Sequence, residues 1–172
     1  STTFSVVRYG NVMGSRGSVI PFFLSLKESG ILPITDKRMT RFMITLEQAV
    51  ELVWTAFEDM QGGEIYVRKI PSMNIEDIAR AVNPSAAIEY VGIRPGEKLH
   101  EQMISLEDSS TTYEYNDYFK ILPILNDWSL DKKRIQEGKK VKDGFIYSSD
   151  KNSDWMDIKD LGSWIKNSNN IE

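Results

Sequence analysis

Apolar residues in the first half of the chain alternate between short continuous runs and runs with helical spacing. The short runs predict strands, and the first of them, which is β-branched, predicts a buried strand. These runs are Phe4–Val7, Leu32–Thr35, Arg41–Ile44, Glu64–Val67 and Ile88–Ile93. Between them, helical spacing predicts helices from Val19 to Gly30, from Thr45 to Gly62 and from Asn74 to Val82. Strands that alternate with helices predict an α/β layer architecture for this half.

The second predicted helix has clear start and stop signals. Thr45 and Gln48 resemble a capping box, and Gly62-Gly63 ends the pattern. The large apolar residues of this helix recur at helical spacing and predict its apolar face. They are Leu46, Val50, Val53, Trp54 and Phe57.

The second half of the chain predicts a smaller α+β region. Arg94–Glu101 predicts a turn that leads into a short helix, and the aromatic cluster in 113–119 predicts packed, irregular strands. Asp131–Lys142 is rich in charge and predicts an exposed segment. Asp157–Asn167 predicts a final helix, and Trp155 just before it predicts a core anchor. The inward residues of that helix are predicted to be Ile158, Leu161, Trp164 and Ile165.

The composition is that of an ordinary globular protein and excludes several kinds of site. The 172 residues are 41% hydrophobic and carry a net charge of -4, which argues against a disordered chain and a nucleic-acid binder. With no cysteine and one histidine, His100, we expect no metal site, and we interpret His100 as structural. No segment approaches the roughly 20 apolar residues of a membrane span. The absence of cysteine agrees with a reducing cytoplasm, where we expect the protein.

A glycine-rich loop, residues 10–18, leaves the first strand and enters the first helix. Its glycines let the backbone approach a ligand, and the start of a helix presents free N–H groups to an anion. Asn11 can donate and accept hydrogen bonds together, as a sugar hydroxyl requires, and Arg16 could meet a phosphate. The loop matches neither common nucleotide-binding glycine pattern, so a connection without a ligand stays an alternative.

Two arginine-containing segments are candidates for phosphate binding. Arg38 and Arg41 lie at the edge of a predicted strand and point to opposite faces if extended, so only one should reach a shared site. Arg94 and Glu97 surround a rigid proline–glycine turn and could clamp a phosphate and ribose hydroxyls. The alternatives are a solvated arginine in the first segment and a weak surface ion pair in the second.

Read together, several segments resemble one enzyme family, and the strongest is the run Arg94-Pro95-Gly96-Glu97-Lys98-Leu99-His100-Glu101. The others are Arg8–Val12, Gly14–Phe23, Pro33–Asp36, Arg38–Phe42, Ile44–Leu46, Gly62–Ile65, Ile70–Met73 and Tyr147–Ser149. The chain resembles the polysaccharide-biosynthesis branch of the extended short-chain dehydrogenase/reductases over nearly its whole length. Within that branch it is most similar to the C5-inverting UDP-N-acetylglucosamine 4,6-dehydratases, which start pseudaminic acid synthesis.

The resemblance implies a Rossmann-type domain that holds NADP and a smaller domain that holds the UDP-sugar. It implies that residues 1–70 interleave the last Rossmann strands and helices with substrate-domain segments, and that 71–172 form the C-terminal substrate-binding region. The implied substrate is UDP-N-acetylglucosamine, converted to a UDP-4-keto-6-deoxy sugar for surface glycans. In the implied reaction, the cofactor takes hydride from C4, water leaves across C5–C6, and hydride returns to C6.

The resemblance also implies which residues contact ligands. The implied substrate contacts are Asn11, Arg41, Arg94 and Glu97, with Arg16 a weaker candidate. Arg41 and Arg94 would bind the diphosphate and Glu97 the uridine ribose. The backbone of 32–34 would line the uracil, and Val12 would border the nicotinamide.

Part of the family pattern is expected to lie outside this chain. In the family, the glycine-rich dinucleotide fingerprint, the Tyr-x-x-x-Lys pair and the elimination residues precede a strand like Phe4–Val7. The chain also begins without methionine, so we expect the C-terminal part of such an enzyme, lacking these catalytic elements. We expect no dehydratase activity from these 172 residues alone, no catalytic residue among them, and a homo-oligomer for the complete protein.

Three alternatives to this function stay open. A C5-retaining dehydratase or a UDP-sugar 4-epimerase would keep the fold and change the reaction. A non-catalytic nucleotide-sugar-binding module would keep the binding residues alone.

Overall fold

The computed structural model describes residues 2–125 and 131–168, which form a mixed α/β structure. The strands are β1 (Val6–Arg8), β2 (Asn11–Val12), β3 (Ile31–Ile34), β4 (Thr40–Ile44), β5 (Ile65–Arg68), β6 (Ser72–Asn74), β7 (Ala87–Tyr90), β8 (Gln102–Ile104), β9 (Thr112–Glu114), β10 (Tyr118–Ile121), β11 (Lys139–Lys140) and β12 (Tyr147–Ser148). The helices are α1 (Val19–Ser25), α2 (Leu46–Asp59), α3 (Ile75–Val82), α4 (Lys132–Ile135) and α5 (Ile158–Asn167). Within the part of the chain that the structure describes, no helix has the length and apolar character needed to cross a bilayer.

The chain divides into two compact units, each assembled from three separate segments. Unit 1 comprises Ser1–Tyr9, Leu46–Lys69 and Gln102–Ser148. Unit 2 comprises Gly10–Thr45, Ile70–Glu101 and Ser149–Glu172. The domain boundary placed at residue 70 from the sequence stays a prediction.

Unit 1 contains a five-stranded sheet in the order β1-β5-β10-β9-β11. The β1–β5 pair is parallel, and the other pairs are antiparallel. The first strand begins at Val6 rather than at Phe4, whose side chain is 75% exposed. The prediction of a buried strand over Phe4–Val7 was therefore wrong at its start and in its burial, because Val6 is 53% exposed and no residue of β1 is buried.

Helix α2 buries a different face from the one its large apolar residues predict. Ala49, Leu52 and Ala56 are its buried residues, and Leu52 and Ala56 pack against Tyr66 of β5. The five large apolar residues of the predicted face are all 45% or more exposed: Leu46, Val50, Val53, Trp54 and Phe57. The small alanine side chains let the helix lie close to the sheet of unit 1, which the spacing of large residues could not indicate.

Unit 1 also buries a cluster of charged groups. Lys120, with 1% of its side chain exposed, donates from Nζ to Asp59 Oδ2 at 2.5 Å, and the same oxygen accepts a hydrogen bond from the Tyr66 hydroxyl at 2.6 Å. Arg134 pairs with the buried Glu64. Arg134 is 12% exposed and Val141 is 8% exposed, so the prediction that residues 131–142 are exposed was wrong at these positions.

Unit 2 has its own core, formed by α1, α3, α5 and the strands beside them. Strand β4 pairs in parallel with β2 and antiparallel with β6, and β3 pairs in parallel with β7. The Asn74 side chain caps α3 by accepting a hydrogen bond from the Glu76 N–H at 2.9 Å. Ser18 precedes α1 without capping it through its side chain, because its hydroxyl donates to the Ser15 carbonyl.

The C-terminal segment of unit 2 confirms one prediction and corrects two. Leu161 of α5 is fully buried, and Trp164 and Ile165 pack against the core of unit 2. Ile158 is 40% exposed, and Trp155, predicted to be a core anchor, is 46% exposed. The Trp155 indole N–H donates to the Asn152 carbonyl at 2.8 Å, and this hydrogen bond stabilises the loop between the two residues.

Candidate functional site

A cavity of about 600 Å³ lies in unit 2, within the size range of pockets that hold small organic ligands. Four of the predicted substrate residues line it: Asn11, Arg41, Arg94 and Glu97. The remaining lining residues are Gly17, Ser18, Val19, Phe22, Phe23, Pro33, Ile34, Thr35, Met39, Ile75 and Val91. The cavity therefore combines cationic, anionic and amide groups with an apolar wall.

Strand β4 brings Arg41 to the cavity and fixes its side chain. The guanidinium is 13% exposed and donates to the carbonyls of Thr40 at 2.7 Å, Leu99 at 3.2 Å and Lys98 at 3.0 Å. Its Nε lies 3.6 Å from a carboxylate oxygen of Glu101. Arg41 thus serves as a structural clamp for main-chain carbonyls as well as a positive charge beside the cavity.

The surroundings of Arg41 act on its charge in opposite directions. Burial lowers the pKa of the Arg41 guanidinium, and the carboxylates of Glu101 and Glu97 oppose that shift. Arginine keeps its proton at any physiological pH, so Arg41 is a permanent cation at this site. Its N–H groups already point at protein acceptors, which leaves long-range attraction as its main contribution to binding an anion.

Arg94 and Glu97 lie on an exposed turn, residues 91–98, which has no regular secondary structure. The Glu97 carboxylate accepts a hydrogen bond from the Arg94 N–H at 2.9 Å, and the Glu97 N–H donates to the Arg94 carbonyl at 3.1 Å. Within residues 2–125 and 131–168, the Arg94 guanidinium has no hydrogen-bond or ion-pair partner. The surface ion pair considered from the sequence does not form, and the short helix predicted within 94–101 is absent from this described segment.

Asn11 reaches the cavity from β2, directly beside β4. Asn11 pairs with Met43 in the parallel ladder, and its amide side chain makes no hydrogen bond within the described part of the chain. The preceding Gly10 lies so close to β4 that an added Cβ would be 2.6 Å from the Phe42 carbonyl oxygen. Glycine at this position therefore allows the two strands to meet and the amide to line the cavity.

The apolar part of the cavity comes from α1 and β3. Phe22 and Phe23 of α1 lie on one wall, and Phe22 is 46% exposed. Pro33 and Ile34 of β3 also line the cavity, as expected for backbone near an aromatic base, whereas Leu32 is fully buried in the core of unit 2. An apolar wall with a few polar groups is the usual composition of a small-molecule site.

Two of the predicted ligand contacts do not line this cavity. Arg16 is exposed in the turn before Gly17, and Val12 pairs with Ile44 in the β2–β4 ladder. Neither residue belongs to the cavity lining, although both lie on the loop and strand that border it. Their roles toward substrate and nicotinamide stay predictions.

Arg38 and His100 also lie outside the cavity lining. Arg38 pairs with Asp36 at 2.7 Å, and its hydrogen bonds lower the pKa of the Asp36 carboxyl to about 2. Of the two arginines near the edge of β4, only Arg41 therefore faces the cavity. His100 is half-buried, and its Nδ1 is 2.8 Å from Thr40 Oγ1, in agreement with a structural role.

The expectation that the chain lacks a Tyr-x-x-x-Lys sequence was wrong as a statement about spacing. Tyr147 and Lys151 have this spacing. Tyr147 lies in β12 and is 7% exposed, with its ring 5.1 Å from that of Phe119, and Lys151 is exposed. Four-residue spacing aligns side chains in a helix, whereas 147–151 form a strand and a turn, so the spacing does not give this pair a helical alignment.

The model of the polysaccharide biosynthesis protein family matches residues 1–123. The chain belongs to this family. Among its relatives, the UDP-N-acetylglucosamine 4,6-dehydratase (inverting) of Campylobacter jejuni subsp. jejuni serotype O:2 is 53% identical over 168 residues. That match covers 93% of this chain and 50% of the relative. A UDP-glucose 4-epimerase of Rickettsia conorii is 39% identical over 145 residues, which cover 81% of this chain and 42% of the relative.

The X-ray structure of Pen from Bacillus thuringiensis is similar to this polysaccharide biosynthesis family member in three dimensions. It superposes with a TM-score of 0.81 at 35% identity, over 96% of this chain and 50% of Pen. The likeness confirms the predicted fold class, the α/β fold of the Rossmann-type short-chain dehydrogenase/reductases. The chain spans about half the length of the curated relatives it matches.

Proposed function

We propose that this chain binds the UDP-sugar in an NADP-dependent UDP-N-acetylglucosamine 4,6-dehydratase. The product would be a UDP-4-keto-6-deoxy sugar with inverted C5, used for a surface glycan such as one containing pseudaminic acid. The observation that carries the proposal is the cavity of unit 2, where two arginines, an amide and a carboxylate line the same space. The 53% identity to the inverting dehydratase of C. jejuni supports the reaction and its stereochemistry.

Each of the four predicted substrate residues that line the cavity suits one part of a UDP-sugar. Arg94, whose guanidinium has no partner among the described residues, would bind the diphosphate directly, since guanidinium groups match phosphate oxygens in shape and charge. Arg41 would add a fixed positive charge to the same region. Asn11 would donate to and accept from sugar hydroxyls, and Glu97 would accept hydrogen bonds from the ribose hydroxyls.

The proposed cofactor contacts in this chain are few. NADP, when bound, would accept and return the hydride of the reaction. Of the described residues, Val12 is the one that the family resemblance puts beside the nicotinamide, and no G-x-G-x-x-G pattern occurs in the 172 residues. These residues do not build a dinucleotide site by themselves, so no step through NADP and no proton transfer is assigned to them.

A 4-epimerase is the second candidate, because a Rickettsia UDP-glucose 4-epimerase is 39% identical over 81% of this chain. The same cavity residues would bind the UDP part of either substrate. The two reactions differ in whether water leaves the sugar, which the binding residues do not determine.

The test is NMR analysis of the product that the full-length protein forms from UDP-N-acetylglucosamine, with NADP or NAD supplied. We expect a 4-keto group, a C6 methyl group and inverted C5, formed more rapidly with NADP. A C4 epimer without a keto group would identify an epimerase, and retained C5 a retaining dehydratase. Binding of the UDP-sugar without any product would favour a non-catalytic module.

A further inference from the structure

In unit 2, the side chains of His100 and Ser149 both contact that of Thr40, the residue before Arg41 in β4. Thr40 Oγ1 is 2.7 Å from Ser149 Oγ and 2.8 Å from His100 Nδ1. Ser149 is fully buried, and Thr40 is 5% exposed. Neither Thr40 nor Ser149 lines the cavity, so we assign their hydroxyls no direct contact with a ligand.

Ser149 joins β4 to the segment that follows the Arg94–Glu97 turn. Its Oγ accepts a hydrogen bond from the Glu101 N–H at 2.9 Å, and its N–H donates to the Glu101 carbonyl at 2.8 Å. The same hydroxyl contacts the Thr40 carbonyl at 3.2 Å, the acceptor that Arg41 uses at 2.7 Å. The buried Ser149 therefore links Glu101 to Thr40 through hydrogen bonds.

The turn of residues 91–98 needs such anchors because it has little support of its own. All eight residues are exposed. At its start, the Val91 N–H donates to the Ile34 carbonyl at 2.9 Å. After its end, Leu99 is held by the Thr40 N–H at 3.1 Å and by Arg41, and Glu101 is held by Ser149. The position of the free Arg94 guanidinium depends on both ends.

We propose that Ser149 and Thr40 are positioning residues that preorganise the Arg94–Glu97 turn for a nucleoside diphosphate. The proposal rests on the proposed function, because it takes the UDP part of a UDP-sugar as the ligand. A turn held in its binding geometry before the ligand arrives loses less conformational entropy on binding. Removing either hydroxyl would leave Arg94 and Glu97 intact but let their backbone move.

Four variants distinguish a positioning role of the Ser149 and Thr40 hydroxyls from a general contribution to the stability of the protein. Ser149→Ala removes the hydroxyl that holds Glu101, and Ser72→Ala removes another fully buried serine hydroxyl of unit 2, which accepts from Asn152 at 3.1 Å. Thr40→Val removes its hydroxyl while keeping the side-chain shape, and Thr40→Ser restores the hydroxyl. The Thr40 pair keeps the test decisive if Ser149→Ala does not fold.

The primary measurement is the affinity for UDP by isothermal titration, at a temperature where each variant is folded by circular dichroism. We expect roughly 10-fold weaker binding for Ser149→Ala and Thr40→Val, the loss of about one buried hydrogen bond, and less than about twofold change for Ser72→Ala and Thr40→Ser. Equal losses in Ser149→Ala and Ser72→Ala would overturn the proposal, as would unchanged affinity in Thr40→Val.

Amide hydrogen exchange without ligand tells a failure of this inference from a failure of the proposed function. We expect faster exchange at the Glu101 amide and in 94–100 for Ser149→Ala and Thr40→Val, but not for Ser72→Ala. If the unaltered protein does not bind UDP, the proposed function fails, and the positioning role for a nucleoside diphosphate fails with it. If the protein binds UDP but exchange in the turn is unchanged in both variants, only the positioning role is refuted.

Discussion

The contact between Gly10 and β4 makes a single methyl group a test of how the cavity is built. In Gly10→Ala, the new Cβ would overlap the Phe42 Cβ and lie 2.6 Å from its carbonyl oxygen. Main-chain atoms cannot rotate away as a side chain can, so β2 must move away from β4. That movement strains the β2–β4 connection, which includes the 2.9 Å hydrogen bond from the Met13 N–H to the Ile44 carbonyl.

The expected cost of Gly10→Ala is that of overpacking a tight contact, about 1–3 kcal/mol. For a chain of 172 residues this corresponds to a fall in Tm of about 2–12 °C. Because Asn11 follows directly, we also expect roughly 10-fold weaker binding of UDP-N-acetylglucosamine, equal to about 1.4 kcal/mol. UDP alone should be affected less, since Asn11 is proposed to contact the sugar.

Thermal unfolding by circular dichroism and titration calorimetry measure the two effects of Gly10→Ala. The matched control is Gly162→Ala in α5, where the nearest heavy atom to an added Cβ is the Ala81 carbonyl oxygen at 4.0 Å. There we expect stabilisation by roughly 0.5–1 kcal/mol and unchanged binding, because alanine favours the helix. A Gly10→Ala protein that melts and binds as the unaltered protein does would refute this account of the β2–β4 contact.

Two further predictions concern unit 1. Lys120→Met should lower the free energy of unfolding by about 3–5 kcal/mol, since it leaves the Asp59 carboxylate without its buried cationic partner; a loss below about 1 kcal/mol in urea unfolding would contradict this. Burial raises the pKa of Tyr118 to about 12 and also raises the pKa of Tyr66 and Tyr115. Because these folded-state pKa values exceed the usual 10.0, their stabilisation is complete below that pH and is lost as pH rises toward 12. Phenolate absorbance from these tyrosines should therefore be absent near pH 10 while unit 1 is folded, and their ionisation near pH 10 in the folded protein would be the contrary result.

Local patterns predicted the parts of the fold that depend on neighbouring residues. The cap at Asn74 and the apolar stripe of α3 lie within one short segment, and Ile75, Ile78, Ala79 and Val82 are all buried. Helix α2 shows where this reasoning stops, because its spacing allows two apolar faces. The face with Ala49 and Ala56 packs against the sheet of unit 1, whereas the larger Trp54 is exposed.

The candidate site likewise has residues that the sequence predicts and contacts that it does not. Arg94 and Glu97 were predictable because they lie three residues apart around Pro95-Gly96, and the structure puts both at one cavity. The partners of Arg41 were not predictable, because Lys98 and Leu99 lie more than 50 residues away in sequence. The contact of Thr40 with Ser149 spans 109 residues, and no local pattern gives a serine such a role.

The central claim is that the cavity of unit 2 binds a nucleoside diphosphate through the free Arg94 guanidinium, and UDP titration of Arg94→Ala tests it most directly. Arg38→Ala is the matched control, because it removes the same charge from the same unit at a residue outside the cavity lining. We predict about 10- to 100-fold weaker UDP binding for Arg94→Ala, as for a lost hydrogen bond to a charged group, and less than about twofold change for Arg38→Ala. Equal affinities in the two variants, or no UDP binding to the unaltered protein, would contradict the claim.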